Sequence, residues 1–155
     1  MGLDMYLSAR RFLWTSWEGA EKRSKDDDIA DAIRAAMPEI GKRNPKYVEI
    51  EAAYWRKANH IHAWFVDNAQ EGTDDCGHYD VSRDQLEELA ELCGEVLENR
   101  DRAGELLPTQ SGFFFGGTDY DEYYFRQLEY TRDTIRELLD NKDLESWDFQ
   151  YHSSW

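Results

Sequence analysis

The segment Tyr54 to Phe65 reads YWRKANHIHAWF and holds the densest set of groups able to grip a ligand. Read as a helix, it places Trp55, Asn59 and His62 at i, i+4 and i+7, on one stripe. Arg56, Asn59 or His60, and Ala63 form the adjacent stripe. An indole stacks on planar groups, an amide makes paired hydrogen bonds, and an imidazole beside Arg56 and Lys57 suits an anion. The competing reading buries Ile61, Trp64 and Phe65 in the core and leaves Arg56 and Lys57 solvated.

A second segment, Pro108 to Phe125, reads PTQSGFFFGGTDYDEYYF. Three consecutive Phe cannot all enter one core from an extended chain. Phe114, or the pair Phe113 and Phe115, must face another way. Gly112, Gly116 and Gly117 allow close backbone approach, and Gln110, Ser111 and Thr118 supply polar groups. Aromatics on a glycine-flanked loop fit a pocket or an interface; the alternative is a buried plug at the end of a sheet. No Lys followed by Ser or Thr succeeds the glycines, so this is no phosphate-binding P-loop.

Other chemistries leave fainter traces. His60 and His62 diverge on a helix and share a face only on a strand. Asp74, Asp75, Cys76 and His78 are dense in metal-ligating types, but no HExxH, paired CxxC or calcium-loop pattern is present. Cys76 near His78 and Ser111 in QSGFF are loose nucleophile candidates, without a GxSxG elbow. Asp84, Glu87, Glu88, Glu91, Glu95 and Glu98 make an acidic helical stripe. Its neighbours sit about 5–6 Å apart, near the spacing of phosphates along a strand, which suits a DNA-mimicking surface and equally an ordinary solvated face.

The elements that must position these groups follow from periodicity. Leu3, Met5, Leu7 and Ala9 alternate with polar residues, as in a half-buried strand. Trp14 to Lys25 reads as a loop. Asp26, Asp27 and Asp28 open a helix with Ile29, Ile33, Ala36 and Met37 on one side, stopped by Pro38. After a turn at Gly41 to Pro45, Val48, Ile50 and Ala52 suggest a second strand. Tyr54 to Gln70 reads as a helix, Glu71 to Gly77 as an acidic turn, and His78 to Val81 as a short strand. Ser82 and Gln85 have capping-box spacing before the helix of Leu86, Leu89, Ala90, Cys93, Val96 and Leu97, which ends near Asn99. Asp119 to Asp140 is a long helix bearing Tyr124, Leu128, Thr131, Ile135, Leu138 and Leu139. Trp147, Phe149 and Tyr151 make a last strand. The expectation is one α+β domain over residues 1–155, a small, mostly antiparallel sheet of about four strands with three to five helices packed on it.

Length and charge narrow the functions. A chain of 155 residues buries roughly 70% of its unfolded surface. With 41% hydrophobic and 14% aromatic residues, it folds despite a net charge of -15. That charge opposes duplex nucleic-acid binding and attraction to an anionic membrane. Cys76 and Cys93 do not make a disulfide framework. Cys93, on an apolar helical face, reads as a buried free thiol. No apolar run reaches a membrane span, and Met1 to Trp14 lacks the regions of a signal peptide, so a cytoplasmic protein is expected. Against this acidity, Tyr54 to Asn68 concentrates Arg56, Lys57 and two His, with only Asp67 opposing them.

MGLDMYL at Met1 to Leu7, YWRKANHIHAWFVDN at Tyr54 to Asn68, DDC at Asp74 to Cys76 and LPTQSGFFFG at Leu107 to Gly116 resemble a family of small hypothetical proteins of bacteriophages and prophages. Tyr120 to Phe125 and the ending Tyr151 to Trp155 are also similar. The resemblance implies a phage setting, in which small accessory proteins block host defences by binding a protein or capturing a nucleotide signal. It implies no established chemistry.

Three functions follow as expectations. The first is a non-catalytic binder of a nucleotide-like or planar anionic small molecule. Trp55, Phe113 or Phe115 would stack on the base; Arg56 and Lys57 would meet phosphate; Asn59, His62, Gln110 and Ser111 would read polar edges. No cofactor or metal enters this reading. The second is an acidic protein-interaction module, including an anti-defence DNA mimic with a host-protein partner. The third is a hydrolase using His60, His62, Asp75 or Cys76, with or without a metal. The oligomeric state is not legible.

Overall fold

The computed structural model describes residues 2–17 and 20–155. Met1, which opens the first motif, and Glu18 and Gly19 of the expected loop lie outside the described residues. The described residues form strands β1 (Asp4–Phe12), β2 (Tyr47–Arg56), β3 (Tyr79–Val81) and β4 (Asp148–Ser154) and helices α1 (Lys25–Ala36), α2 (Asn59–Asn68), α3 (Arg83–Glu98), α4 (Ala103–Leu106) and α5 (Glu122–Asp140). The strands make one antiparallel sheet in the order β2-β1-β4-β3. The fold is α+β, as the sequence leads one to expect.

Contacts gather into two compact units, residues 1–9 with 51–155 and residues 10–50. In the larger unit, Leu3, Met5, Leu7 and Ala9 are all fully buried, so the period of two reports the core-facing side of β1. On β4, Phe149, Tyr151 and Ser153 point inward. Tyr151 pairs with Tyr79 and Phe149 with Val81 across the β3–β4 ladder. Leu86, Leu89, Ala90, Cys93 and Val96 of α3 meet Leu128 and Ile135 of α5 in the same core. Ser82 and Gln85 close both bonds of the capping box that starts α3.

The smaller unit centres on α1. Ser24 and Asp27 form a capping box at its start. The Asp27 carboxylate accepts hydrogen bonds from the backbone and side chain of Ser16 and of Ser24. Those donors hold its pKa far below the usual carboxylate range. Asp26 accepts from Arg11 and the Trp14 amide, both at 2.8 Å. The expected apolar stripe is only half-formed: Ile29 and Ile33 are partly buried, whereas Ala36 and Met37 are exposed.

One boundary differs from expectation. The chain from Tyr54 to Arg56 belongs to β2, and α2 begins only at Asn59. Ala53 and Trp55 face the core while Tyr54 and Arg56 face out, the alternation of a strand. The inward residues are therefore these two, and Ile50, expected on the buried face, is 42% exposed. Lys57 makes the corner with φ +57, a left-handed conformation that costs a non-glycine residue about a kilocalorie.

Candidate functional site

The late start of α2 dissolves the proposed stripe. Trp55 is 1% exposed, its Nε1–H donates to Thr131 Oγ1 at 2.8 Å, and its ring packs on Phe65. It is a core residue and cannot stack on a ligand. Arg56 points outward and meets Asp4 at 3.5 Å. Its carbonyl accepts a hydrogen bond from the Tyr123 hydroxyl.

Asn59, fully buried in the first turn of α2, does something the sequence did not reveal. Its Nδ2 donates to Phe115 O at 3.1 Å and Gly117 O at 2.9 Å, while its Oδ1 accepts from the Gln110 amide at 2.9 Å. Both ends of the aromatic loop are thus tied to one amide. All three bonds are satisfied internally, which leaves Asn59 no free group for reading a ligand. Thr109 Oγ1 donates to Thr118 O across the base of the loop, and the Leu3 amide donates to Phe114 O. Gly112 is required here, because a Cβ at that position would lie 2.5 Å from the Phe115 ring. Gly116 is required too, with φ +93 and a Cβ position 3.0 Å from that of Lys57.

The three Phe divide as chain geometry demands. Phe115 is buried, Phe114 is 38% exposed and Phe113 is 89% exposed. Phe115 packs edge-on to His62, so it belongs to the core and does not stack on a ligand. Gln110 and Ser111 have exposed side chains.

His62 is fully buried and used up. Its Nδ1 lies 2.7 Å from the Tyr151 hydroxyl and its Nε2 3.1 Å from Asp74 Oδ2. A carboxylate only accepts, so Nε2–H donates to Asp74, and Nδ1 shares a hydrogen bond with the Tyr151 hydroxyl. Burial holds the Tyr151 phenol protonated well past its ordinary range. Asp74 Oδ1 accepts in turn from Trp155 Nε1 at 3.1 Å. The order Asp–His–hydroxyl has the logic of a nucleophile triad. Yet His62 and Tyr151 are each 0% exposed, so no substrate reaches the hydroxyl. The network fastens the acidic turn to α2 and β4. His62 therefore reads no ligand edge.

A cavity of about 270 Å³ lies where the two highlighted segments meet. Lys57, Asn59 and His60 line it from the start of α2, Thr109, Gly116 and Gly117 from the loop, and Asp119, Asp121, Tyr123 and Tyr124 from the start of α5. Of the residues expected to contact a ligand, only Lys57 and Asn59 border it. His60, Gly116 and Gly117 were singled out for other roles, and the wall from the start of α5 was not recognised. Asp121 had one legible signal: it stands three residues before Tyr124, whose amide it caps at 3.0 Å.

Several groups around the cavity are already engaged. Tyr123 donates to Arg56 O and Tyr124 to Leu107 O. Others are not. Lys57 Nζ and the Asp119 carboxylate have no hydrogen-bond or ion-pair partner among the described residues. His60 is 3% exposed, its ring rests on Tyr124 with centroids 4.2 Å apart, and its Nε2 has no hydrogen-bond partner. Burial lowers the His60 pKa to about 3, so the imidazole is neutral at physiological pH.

Cys93 is buried and its thiol is pushed up to about 12. Cys76 is a half-buried free thiol with φ +57. Among the described residues no three His, Cys, Asp or Glu side chains gather as metal ligands would. No described helix is long and apolar enough to cross a membrane. No family model, curated protein or solved structure matches this chain.

Proposed function

We propose that this protein is a non-catalytic binder of a small polar molecule, held in the cavity between the start of α2, the 109–117 loop and the start of α5. The carrying observation is the His60 Nε2, buried without a hydrogen-bond partner, in a residue bordering a cavity whose Lys57 and Asp119 also lack partners among the described residues. An unsatisfied buried nitrogen costs about 1–3 kcal/mol, which a ligand hydroxyl or amide would recover. A volume near 270 Å³ suits a nucleobase or a single ring with a short tail. Polyphosphates are disfavoured, because Asp119 and Asp121 oppose Lys57. This reading departs from the anionic ligand expected from the sequence and takes a ligand with little negative charge.

A base whose conjugate acid has a pKa of about 3 abstracts protons poorly at neutral pH, which favours binding over acid–base catalysis. A phage accessory role, in which such a protein captures a host small molecule, fits this reading. Titration of nucleosides and small aromatic amines, followed by calorimetry and by the ring resonances of His60 and Tyr124, tests it. Absence of any shift at millimolar ligand sinks it.

A protein-interaction role has its own supporting observation. Phe113, 89% exposed, sits on a loop whose backbone Asn59 fixes from beneath. Rigid exposed aromatics act as interface anchors. The exposed carboxylates of α3 would then favour a basic partner. Loss of partner capture on Phe113→Ser, without loss of stability, distinguishes this role.

A further inference from the structure

We infer that the ligand of this cavity carries an ammonium group, which the Asp119 and Asp121 carboxylates receive, and a hydroxyl or amide that pairs with His60 Nε2. The inference rests on the cavity being a binding site, as proposed above, and assigns its chemical class. Two carboxylates and one ammonium line the cavity, so its charge is net negative. Asp121 spends Oδ1 on capping the Tyr124 amide, which leaves Oδ2 to accept. Asp119 has no hydrogen-bond or ion-pair partner among the described residues. Tyr123 and Tyr124 also border the cavity, and their own hydroxyls are occupied elsewhere.

His60 supplies the independent indication. It is buried, neutral and lacks a partner at Nε2. A hydroxyl satisfies Nε2 in either tautomer, by donating to the bare nitrogen or accepting from N–H. Asn59 cannot compete, because its amide is consumed by the loop.

Three matched probes separate the possibilities. Tyramine carries the ammonium, 4-ethylphenol replaces it with a hydrogen atom, and 3-(4-hydroxyphenyl)propionate replaces it with a carboxylate. All three keep the phenol. Calorimetry on the full chain is expected to rank them in that order, with tyramine tighter than 4-ethylphenol by about tenfold or more, the worth of one charge-assisted hydrogen bond. Asp119→Asn, at an exposed residue with no partner among the described residues, is expected to remove that advantage. Equal binding of tyramine and 4-ethylphenol, or tighter binding of the carboxylate, overturns the ammonium class while sustaining the cavity as a site. Failure of all three probes, together with failure of the nucleosides, overturns both.

Discussion

Replacing His60 with Phe gives two linked readouts. His60 is 3% exposed with an unpartnered Nε2, and burial lowers its pKa to about 3. In the unfolded chain an imidazole titrates near 6.5. Between those values the unfolded chain binds a proton that the folded chain refuses, so stability rises with pH across the window. The contribution is complete above about 6.5 and is lost as pH falls toward about 3. At pH 5 the loss relative to pH 8 is about 2 kcal/mol. His60→Phe removes the titration and the unsatisfied nitrogen while keeping a ring against Tyr124. Urea denaturation at pH 8, 6.5 and 5 is the assay. At pH 8 the variant is expected to match or exceed the parent by about 1 kcal/mol. At pH 5 its advantage should grow by about 2 kcal/mol. Depressed carboxylates such as Asp26 and Asp31 lose stability in acid in both proteins, so they cancel from the difference. A stability difference that stays flat from pH 8 to pH 5 would refute the claim that this imidazole is buried neutral.

Asn59→Ala removes three hydrogen bonds and is expected to cost about 2–4 kcal/mol. Asn59→Asp keeps the acceptor for the Gln110 amide but turns a second oxygen toward Phe115 O and Gly117 O, so hydrogen exchange should show Gln110 protected and the loop end loosened. Trp55→Ala should cost about 3–5 kcal/mol in urea titration, as core truncations do, and Trp55→Phe about 1–2 kcal/mol for the lost bond to Thr131. Gly116→Ala forces a side chain into φ +93 beside Lys57 and should cost at least about 1 kcal/mol. A thiol-reactive dye should titrate Cys76 in the folded protein and reach Cys93 only after unfolding.

The parts of the fold legible in the sequence are those in which one period decides the structure. Leu3 to Ala9 alternate because only one face of β1 is buried. Leu86 to Val96 and Tyr124 to Ile135 repeat helically because α3 and α5 each present one side to the core. Tyr54 to Phe65 failed for a physical reason. Trp55, Ala58, Ile61 and Phe65 are all buried, but the first two lie before the helix. A strand that runs into a helix through a single corner leaves apolar residues at intervals that imitate one long helix. The corner itself, Lys57 at positive φ, carries no glycine to announce it. Of the candidate site, the meeting of two segments was legible and the roles were not. Lys57 and Asn59 reach the cavity, yet its acidic wall comes from the start of α5, where Asp119 and Asp121 read only as helix-opening residues.

His60 and His62 show why spacing alone could not assign those roles. They stand two apart on α2, and both are almost wholly buried. Two turned positions send them to different surroundings. His62 finds a phenol on one nitrogen and a carboxylate on the other, so its polarity stabilises the fold and nothing is left to offer. His60 finds the ring of Tyr124 and no partner for Nε2, so its polarity costs the fold stability. Removing the satisfied ring should therefore destabilise, and removing the unsatisfied one should not. That opposition makes the ring that looked like a bystander beside Arg56 the better candidate to meet a ligand, and the ring first assigned to that task a fastening between α2, β4 and the acidic turn.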